Sequence, residues 1–387
     1  MLILVERDEF LRALGPVSGV PSTKADVPIL THLVISTGRE GGTVRGTDTQ
    51  MEITSPFKAT VSEPGSICVP ARLLHDIVKR MPAGREITLT QVESRLRVVC
   101  GKSRFEIGAL PAEDYPAFGL GDADRQWKFE VEADRLRSML VGVRHAISKE
   151  ETRYYLNGVH LHVTAEEPVR LKAVATTGHV LAVQSCTAPV GSYGMPPIIV
   201  PRETVAELVK VLPDGGQLVT LTVSQRFIWL DIPGGLTLGS KLIDGEFPDY
   251  ERIIPRDHPH RFTVEADALI GVIDRVGTLC DASYTCIGFG LSAKGPMTVS
   301  AERAGIGSAS DQVEAVVEGQ KRRIGVNYRY LLNALQSYAG GTVEVQYEGA
   351  ADPLVMTIAG SDLGLQVIMP MRLGSASQVD EQLEEAA

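Results

Sequence analysis

Cysteine is scarce and unpatterned in this chain of 387 residues: Cys68, Cys100, Cys186, Cys280 and Cys286 are odd in number and scattered, with no C-x-x-C pair. Such spacing excludes a paired disulfide framework and a zinc ribbon, and leaves free, mostly buried thiols as the expectation. Long apolar runs are missing as well. None approaches the roughly 18 residues of a membrane span, and the chain opens on Met1-Leu2-Ile3-Leu4-Val5-Glu6-Arg7 with no basic leader. A cytoplasmic protein without a membrane partner is expected. There is no P-loop, no G-x-S-x-G and no G-x-G-x-x-G opening a helix. Positive charge is short too, the formal net charge being −10. Taken alone, that argues against a nucleic-acid partner, because duplex affinity comes largely from Lys and Arg neutralising phosphates.

What the chain does have is 44% hydrophobic and 22% charged residues, a globular balance long enough for two or three domains. It also has internal repeats. One pattern is an apolar strand running into an acid-started helix: Val5-Glu6-Arg7-Asp8-Glu9-Phe10, Val131-Glu132-Ala133-Asp134-Arg135-Leu136 and Val264-Glu265-Ala266-Asp267-Ala268-Leu269, offset by 126 and 133 residues. The aspartates Asp8, Asp134 and Asp267 are expected as N-caps. A second pattern is a β-branched run, a breaker and another amphipathic helix: Ile67-Cys68-Val69-Pro70, Ile198-Ile199-Val200-Pro201 and Ile324-Gly325-Val326-Asn327, with breakers 131 and 126 apart. Pro70 and Pro201 suit a first helical position. Three short strands follow each second helix, starting near Glu86, Leu218 and Thr342.

The expectation is an α+β chain of three domains of about 125 residues, each made of two β-α-β-β-β halves. The spans are 1–122, 123–254 and 255–373, with boundaries near 119–126 and 255–260 and an acidic tail at 374–387 read as disordered or weakly helical. Half-units carrying one helix each can join edge to edge into an arc with the helices on a common face. A second copy added head to tail would close it.

Ordered along this frame are Val17-Ser18-Gly19-Val20, Pro28-Ile29-Leu30, Gly46-Thr47-Asp48, Glu63-Pro64-Gly65-Ser66, Ser103-Arg104-Phe105 with Leu110-Pro111-Ala112, Arg153-Tyr154-Tyr155-Leu156-Asn157-Gly158, residues 241–250 (Lys241 to Tyr250), and Met369-Pro370-Met371-Arg372-Leu373. In order and spacing the set resembles the beta subunit of bacterial DNA polymerase III, the sliding clamp family, from residue 1 to 373. The resemblance implies a non-catalytic DNA clamp, a head-to-tail homodimeric ring whose helices face duplex DNA in a central hole, with no cofactor and no metal. Acid outside and base lining the hole would reconcile the negative charge with weak, sequence-independent contact.

DNA-near candidates are Lys24, which replaces a family arginine, Arg72, Lys79, Arg153, Tyr154 and Tyr155. On residue type alone, Arg72 and Lys79 fit an ordinary solvated helix face equally well. The resemblance further implies a groove for short tail peptides of the DNA polymerase III alpha subunit, the clamp loader delta subunit, other polymerases and repair proteins. Its residues would be Leu156, Thr176, Gly178, His179, Val180, Leu181, Pro248, Arg252, Ile253, Val367, Met369, Pro370, Met371, Arg372 and Leu373. A Met-rich apolar groove adapts to varied anchors, although Met369 and Met371 also read as terminal strand packing. The dimer contact would pair strands at 102–108 and 297–301, with Phe105, Ile107, Ile273 and Leu279 as apolar anchors or, equally, as core residues of their own domains.

Departures concentrate at the groove. The family's Thr-Asp-Gly-His-Arg-Leu is here Thr176-Thr177-Gly178-His179-Val180-Leu181, losing an acid and a base together. Val180 is expected to narrow the peptides bound, and the tail to hang in solvent or lie across the groove. Two alternatives stand beside the general clamp. One is a specialised clamp paralogue with restricted partners or inhibitor resistance. The other is a metal-dependent enzyme built on His160-Leu161-His162, whose alternation puts both imidazoles on one strand face, though no nearby Cys, Asp or Glu completes a site. Asp244 and Asp249 near Arg252 read more simply as a turn between Gly245 and Pro248.

Overall fold

The computed structural model describes residues 1–24, 26–116, 118, 126–361 and 363–373. The expected boundary at 119–126, apart from Gln126, and the tail at 374–387 lie outside them.

The sequence repeats become six copies of strand, helix and three strands. The first copy is β1 (Leu2–Glu6), α1 (Arg7–Val17), β2 (His32–Thr37), β3 (Gly42–Thr47) and β4 (Met51–Phe57), with a short β5 (Thr60–Glu63) appended. The second is β6 (Gly65–Pro70), α2 (Ala71–Arg80), β7 (Glu86–Val92), β8 (Arg95–Cys100) and β9 (Ser103–Gly108), followed by β10 (Leu110–Pro111). The third is β11 (Trp127–Glu132), α3 (Ala133–Val143), β12 (Gly158–Val163), β13 (Arg170–Thr176) and β14 (Val180–Thr187). The fourth is β15 (Ile198–Pro201), α4 (Arg202–Val211), β16 (Leu218–Val223), β17 (Phe227–Asp231) and β18 (Thr237–Lys241). The fifth is β19 (His260–Glu265), α5 (Ala266–Val276), β20 (Cys286–Leu291), β21 (Met297–Arg303) and β22 (Gly307–Val313), with a short β23 (Ala315–Glu318). The sixth is β24 (Arg322–Asn327), α6 (Tyr328–Gln336), β25 (Thr342–Tyr347), β26 (Leu354–Ile358) and β27 (Gly364–Ile368).

Each helix buries one stripe. Phe10, Ala13, Leu14 and Val17 of α1, and Ala266, Leu269, Val272, Ile273 and Val276 of α5, follow the 3.6-residue period and turn inward. Strands bury every second residue, as Val343, Val345 and Tyr347 do in β25. Each fully buried Val, Leu or Ile contributes about 1.5–3 kcal/mol over leaving it in water.

The repeated aspartates are not caps. Glu6 and Glu265 precede α1 and α5 without a side-chain cap bond, while Asp8, Asp134 and Asp267 sit second in their helices. Each instead accepts from a glycine amide in the turn after the next copy's helix: Gly84 to Asp8 at 2.9 Å, Gly216 to Asp134 at 2.7 Å and Gly340 to Asp267 at 3.2 Å. Beside each of these bonds the first helical amide, of Arg7, Ala133 or Ala266, donates to the carbonyl of Arg85, Gln217 or Gly341 at 2.8, 2.8 and 3.0 Å. Donors orphaned at a helix start are thus satisfied by the neighbouring half-unit, which the acid ties down. Pro70 and Pro201 hold the cap position rather than the first helical one. Asn327, their counterpart, caps α6 through Oδ1, accepting from the amides of Arg329 and Tyr330 at 3.0 and 3.4 Å.

The described residues form two compact units, one within 1–137 and 188–244 and the other within 138–187 and 245–373. In the first, one sheet runs β5-β1-β7-β8-β9 and another β10-β6-β2-β3-β4-β18-β17-β16-β11. In the second, the strands run β12-β13-β14-β27-β26-β25-β19-β23, and a separate sheet runs β22-β21-β20-β24. Two antiparallel seams join copies: β4 with β18, from Thr54↔Thr237 to Met51↔Ser240, and β14 with β27, from Val180↔Ile368 to Gln184↔Gly364.

Candidate functional site

The seam of β14 and β27 brings together part of the expected groove. Leu181 lies opposite Val367 across the seam and opposite Thr176 on β13, so the three side chains share one sheet face. They form a floor, at 5% exposure for Thr176, 2% for Leu181 and 3% for Val367, and Leu156, just before β12, is equally buried. The Met369 amide continues the ladder to the His179 carbonyl at 2.9 Å, and Met369 is 42% exposed. Pro248, Arg252 and Ile253 stand exposed on the 247–254 segment.

Val180 is a correction. Adjacent strand residues point to opposite faces, so with Leu181 on the floor Val180 turns away from it, and it is 3% exposed. Facing away, it does not touch a peptide lying on that floor. Thr177 braces the turn: its hydroxyl oxygen accepts from the amides of His179 and Val180, each at 3.2 Å. Thr176 Oγ1 donates to the Val180 carbonyl at 2.8 Å and accepts from Gly178 at 3.0 Å. Gly178 has φ +89°, a left-handed conformation that glycine adopts without strain.

The last residues divide in two. Met371 bridges to Gly325, its amide donating to the Gly325 carbonyl at 2.8 Å, and Thr285 Oγ1 lies 3.9 Å from its sulfur. A Cβ on Gly288 or Gly325 would come within 3.2 or 3.1 Å of Leu373, whose side chain fills the hollow these glycines leave. Leu373 therefore anchors the chain end on β20 and β24, Met371 shares that role, and both stay half-buried. The structure also brings in a residue that pattern reading missed. Tyr330 on α6 stacks against His179, ring centres 6.3 Å apart and planes 15° apart. Its signal in the sequence was only its place three residues beyond the Asn327 breaker.

Arg153 belongs beside this turn. Its guanidinium is paired with Glu150 through two bonds of 2.8 Å and lies over Gly178. Tyr154 is 53% exposed, and Tyr155 packs against Gly245 with the two tyrosine rings edge to face at 5.8 Å. In the other unit, Arg72 and Lys79 are exposed on α2, opposite buried Leu74 and Val78, and Lys24 is exposed between α1 and β2. Among the described residues no ion pair engages Lys24, Arg72 or Lys79. By contrast Arg12, Lys210 and Arg275 on other helices are paired with Glu9, Glu207 and Asp311 at 2.7, 2.6 and 2.7 Å.

His160 and His162 do share a face of β12, with rings stacked at 4.9 Å. Their further partners are aromatic and hydroxyl groups: Phe247 lies parallel to His160 at 4.6 Å, and the Tyr250 hydroxyl is 2.9 Å from His162 Nε2. Among the described residues no group of His, Cys, Asp or Glu is arranged to hold a metal. Burial, then the nearby Lys172 ammonium, holds the His162 pKa below its ordinary value.

At the sheet edges, β9 ends one sheet of the first unit and β22 one sheet of the second. The expected edge at 297–301 is overturned: β21 lies between β20 and β22, so the free edge is β22. Of the four expected anchors, Ile107 at 3% and Ile273 at 0% exposure are core residues, and Leu279 packs against the core. Phe105 alone offers a large exposed apolar surface, at 39%.

Models of the DNA polymerase III beta subunit match its N-terminal domain to residues 1–119, its central domain to 130–249 and its C-terminal domain to 251–372. The beta sliding clamp of Caulobacter vibrioides (strain NA1000 / CB15N) is 35% identical over 377 residues, 96% of this chain and 100% of that one. Two solved structures are similar over 96% of this chain: a sliding clamp from Bartonella birtlesii bound to griselimycin, at TM-score 0.92, 33% identity and 100% of its length, and a Caulobacter crescentus beta sliding clamp with polyethylene glycol bound, at TM-score 0.91, 35% identity and 99% of its length.

Proposed function

Because the chain belongs to the DNA polymerase III beta subunit family, it is a non-catalytic sliding clamp of DNA replication with the three-domain α+β clamp fold, and we propose that two copies close head to tail around duplex DNA. The observation that carries the ring is a rule of strand pairing. In both seams the third strand after one copy's helix pairs antiparallel with the third strand after a later copy's helix: β4 with β18, and β14 with β27. Six copies supply six such strands, and the two left as sheet edges are β9 and β22. Unpaired edges are templates for another chain. Pairing β9 of one copy with β22 of the other repeats the rule twice, and two identical heterologous joints close with twofold symmetry.

Within that ring, Lys24, Arg72, Lys79, Arg153, Tyr154 and Tyr155 are the DNA-near groups of this reading. That no ion pair engages the first three among the described residues supports it, and topology lets the contacts stay weak. Domains spanning 1–122, 123–254 and 255–373 act in the cytoplasm. The groove on the β14–β27 seam takes tail peptides of the polymerase III alpha subunit, the clamp loader delta subunit, other polymerases and repair proteins. The buried Val180 and the hydroxyl-held turn at Thr177 leave the groove face unaltered, which favours a general clamp over a specialised paralogue.

The test is a fluorescent peptide of the type Gln-Leu-x-Leu-Phe, titrated by anisotropy into the full chain and into a chain ending at Leu373. Equal saturable binding is expected. Binding only after truncation would make residues 374–387 a regulator of the groove, and no binding to either would sink the groove assignment.

A further inference from the structure

The 247–254 segment, which carries the expected groove residues Pro248, Arg252 and Ile253, has little backbone support of its own. Its regular structure is a single 3-10 turn, Tyr250–Ile253. Outside the bonds of that turn and its cap, Ile254 to Glu251 at 3.4 Å, no backbone-to-backbone bond among the described residues ties 247–254 to the rest of the protein. Nor is it packed solidly on the strands below. A cavity of about 670 Å³ opens between the segment and its bed, with His160, His162, Val183 and Leu365 on the bed side and Phe247 to Glu251 on the other.

Side chains must therefore hold the segment, and two of them dominate. Phe247 and Tyr250 are turned inward, at 9% and 6% exposure, while Pro248, Asp249, Glu251, Arg252 and Ile253 face out. Both inward residues end on a histidine of β12. Phe247 lies flat on His160, 4.6 Å between ring centres and 4° between planes, and the Tyr250 hydroxyl meets His162 Nε2 at 2.9 Å. The rings brace each other at 4.9 Å. A third tie, Lys172 Nζ to Glu251 Oε1 at 2.8 Å, is half in solvent and weaker.

We propose that His160 and His162 are positioning residues of the peptide groove, clasping the 247–254 segment so that Pro248, Arg252 and Ile253 are held in place before a peptide arrives. The proposal rests on the groove reading and assigns a task to the His-x-His pair that clamp function had left without one. Preorganising a binding wall raises affinity because the ordering cost is met before binding. Histidine suits both halves of the clasp: one ring offers a flat face to Phe247, the other a ring nitrogen that hydrogen-bonds a buried hydroxyl.

The experiment uses the full chain with His160→Ala, His162→Ala and the double variant, and with His160→Phe and His162→Gln as conservative replacements that keep a flat ring and a hydrogen-bonding group. Two quantities are read: hydrogen–deuterium exchange of the 247–254 amides in the free protein, and the Kd of the fluorescent peptide. In the double alanine variant, exchange across 247–254 should accelerate and peptide affinity should fall by about five-fold or more, the scale of losing one hydrogen bond and one ring contact. The phenylalanine and glutamine variants should recover most of both. Unchanged exchange in the double variant would overturn the clasp, and faster exchange with unaltered affinity would overturn the positioning role. Faster exchange in a protein whose unmodified form binds no peptide would support the clasp and overturn the groove reading alone.

Discussion

Position 180 carries a change of charge relative to the family pattern, yet the consequence depends on which face of β14 it occupies. Leu181 and Val367 share the sheet face assigned to the proposed groove, so Val180 faces the other way and is 3% exposed. Val180→Ala should therefore leave the peptide Kd within about two-fold, while lowering stability by about 1–3 kcal/mol through the cavity it leaves. Denaturant unfolding beside the anisotropy titration checks both halves. A large loss of affinity at unchanged stability would put the side chain back on the groove face. The repeated aspartates show the same dependence on surroundings. A residue type that reads as a cap accepts instead from a glycine amide of the neighbouring half-unit in all three occurrences.

Between elements, the end of α3 is tied to β27 and α6 by Gln366, which is 0% exposed. Its Nε2 donates to the Gly142 carbonyl at 3.1 Å and to Ser337 Oγ at 3.4 Å, and its Oε1 lies 3.1 Å from His145 Nε2. Burial pushes the His145 pKa down from 6.5 to about 4, the Gln366 contact raising it in part and Arg144 lowering it. A histidine whose folded pKa is depressed favours the neutral ring, so its contribution is complete above pH 6.5 and is lost as the pH falls from there toward about 4. The stability of the unit containing β27 should fall across that window. In His145→Gln, urea unfolding followed from about pH 7 to about pH 5 should lose part of that slope. An identical slope in the two proteins would remove His145 from the account.

For the whole molecule, a net charge of −10 and a DNA-encircling role are compatible when retention is topological rather than adhesive. Ring closure then matters more than any single phosphate contact. Phe105→Asp, on the exposed edge β9, should shift the protein to monomer in analytical ultracentrifugation and abolish retention on circular DNA while leaving the unfolding curve in place. Ile273→Ala should do the opposite, costing about 2–5 kcal/mol of stability from the core of α5 with the dimer retained. Dimers of normal strength in the first variant would refute pairing through β9.

The sequence by itself determined the six-fold strand–helix–strand plan, because helical and strand periodicity are local and because the breakers at Pro70, Pro201 and Asn327 recur at domain spacing. The family resemblance named Thr176, Leu181 and Val367 together, and strand pairing sets the three on one sheet face. Only the tertiary structure decided which strand is an edge, because β21 and β22 are both short and alternating and only pairing on both sides distinguishes them. The tertiary structure also decided that Ile107 and Ile273 are core, that Leu373 fills a glycine hollow, that Tyr330 meets His179, and that two histidines on β12 hold a segment more than 80 residues away. Each of these depends on a contact between residues distant in the chain, and periodicity contains no information about which distant surfaces meet.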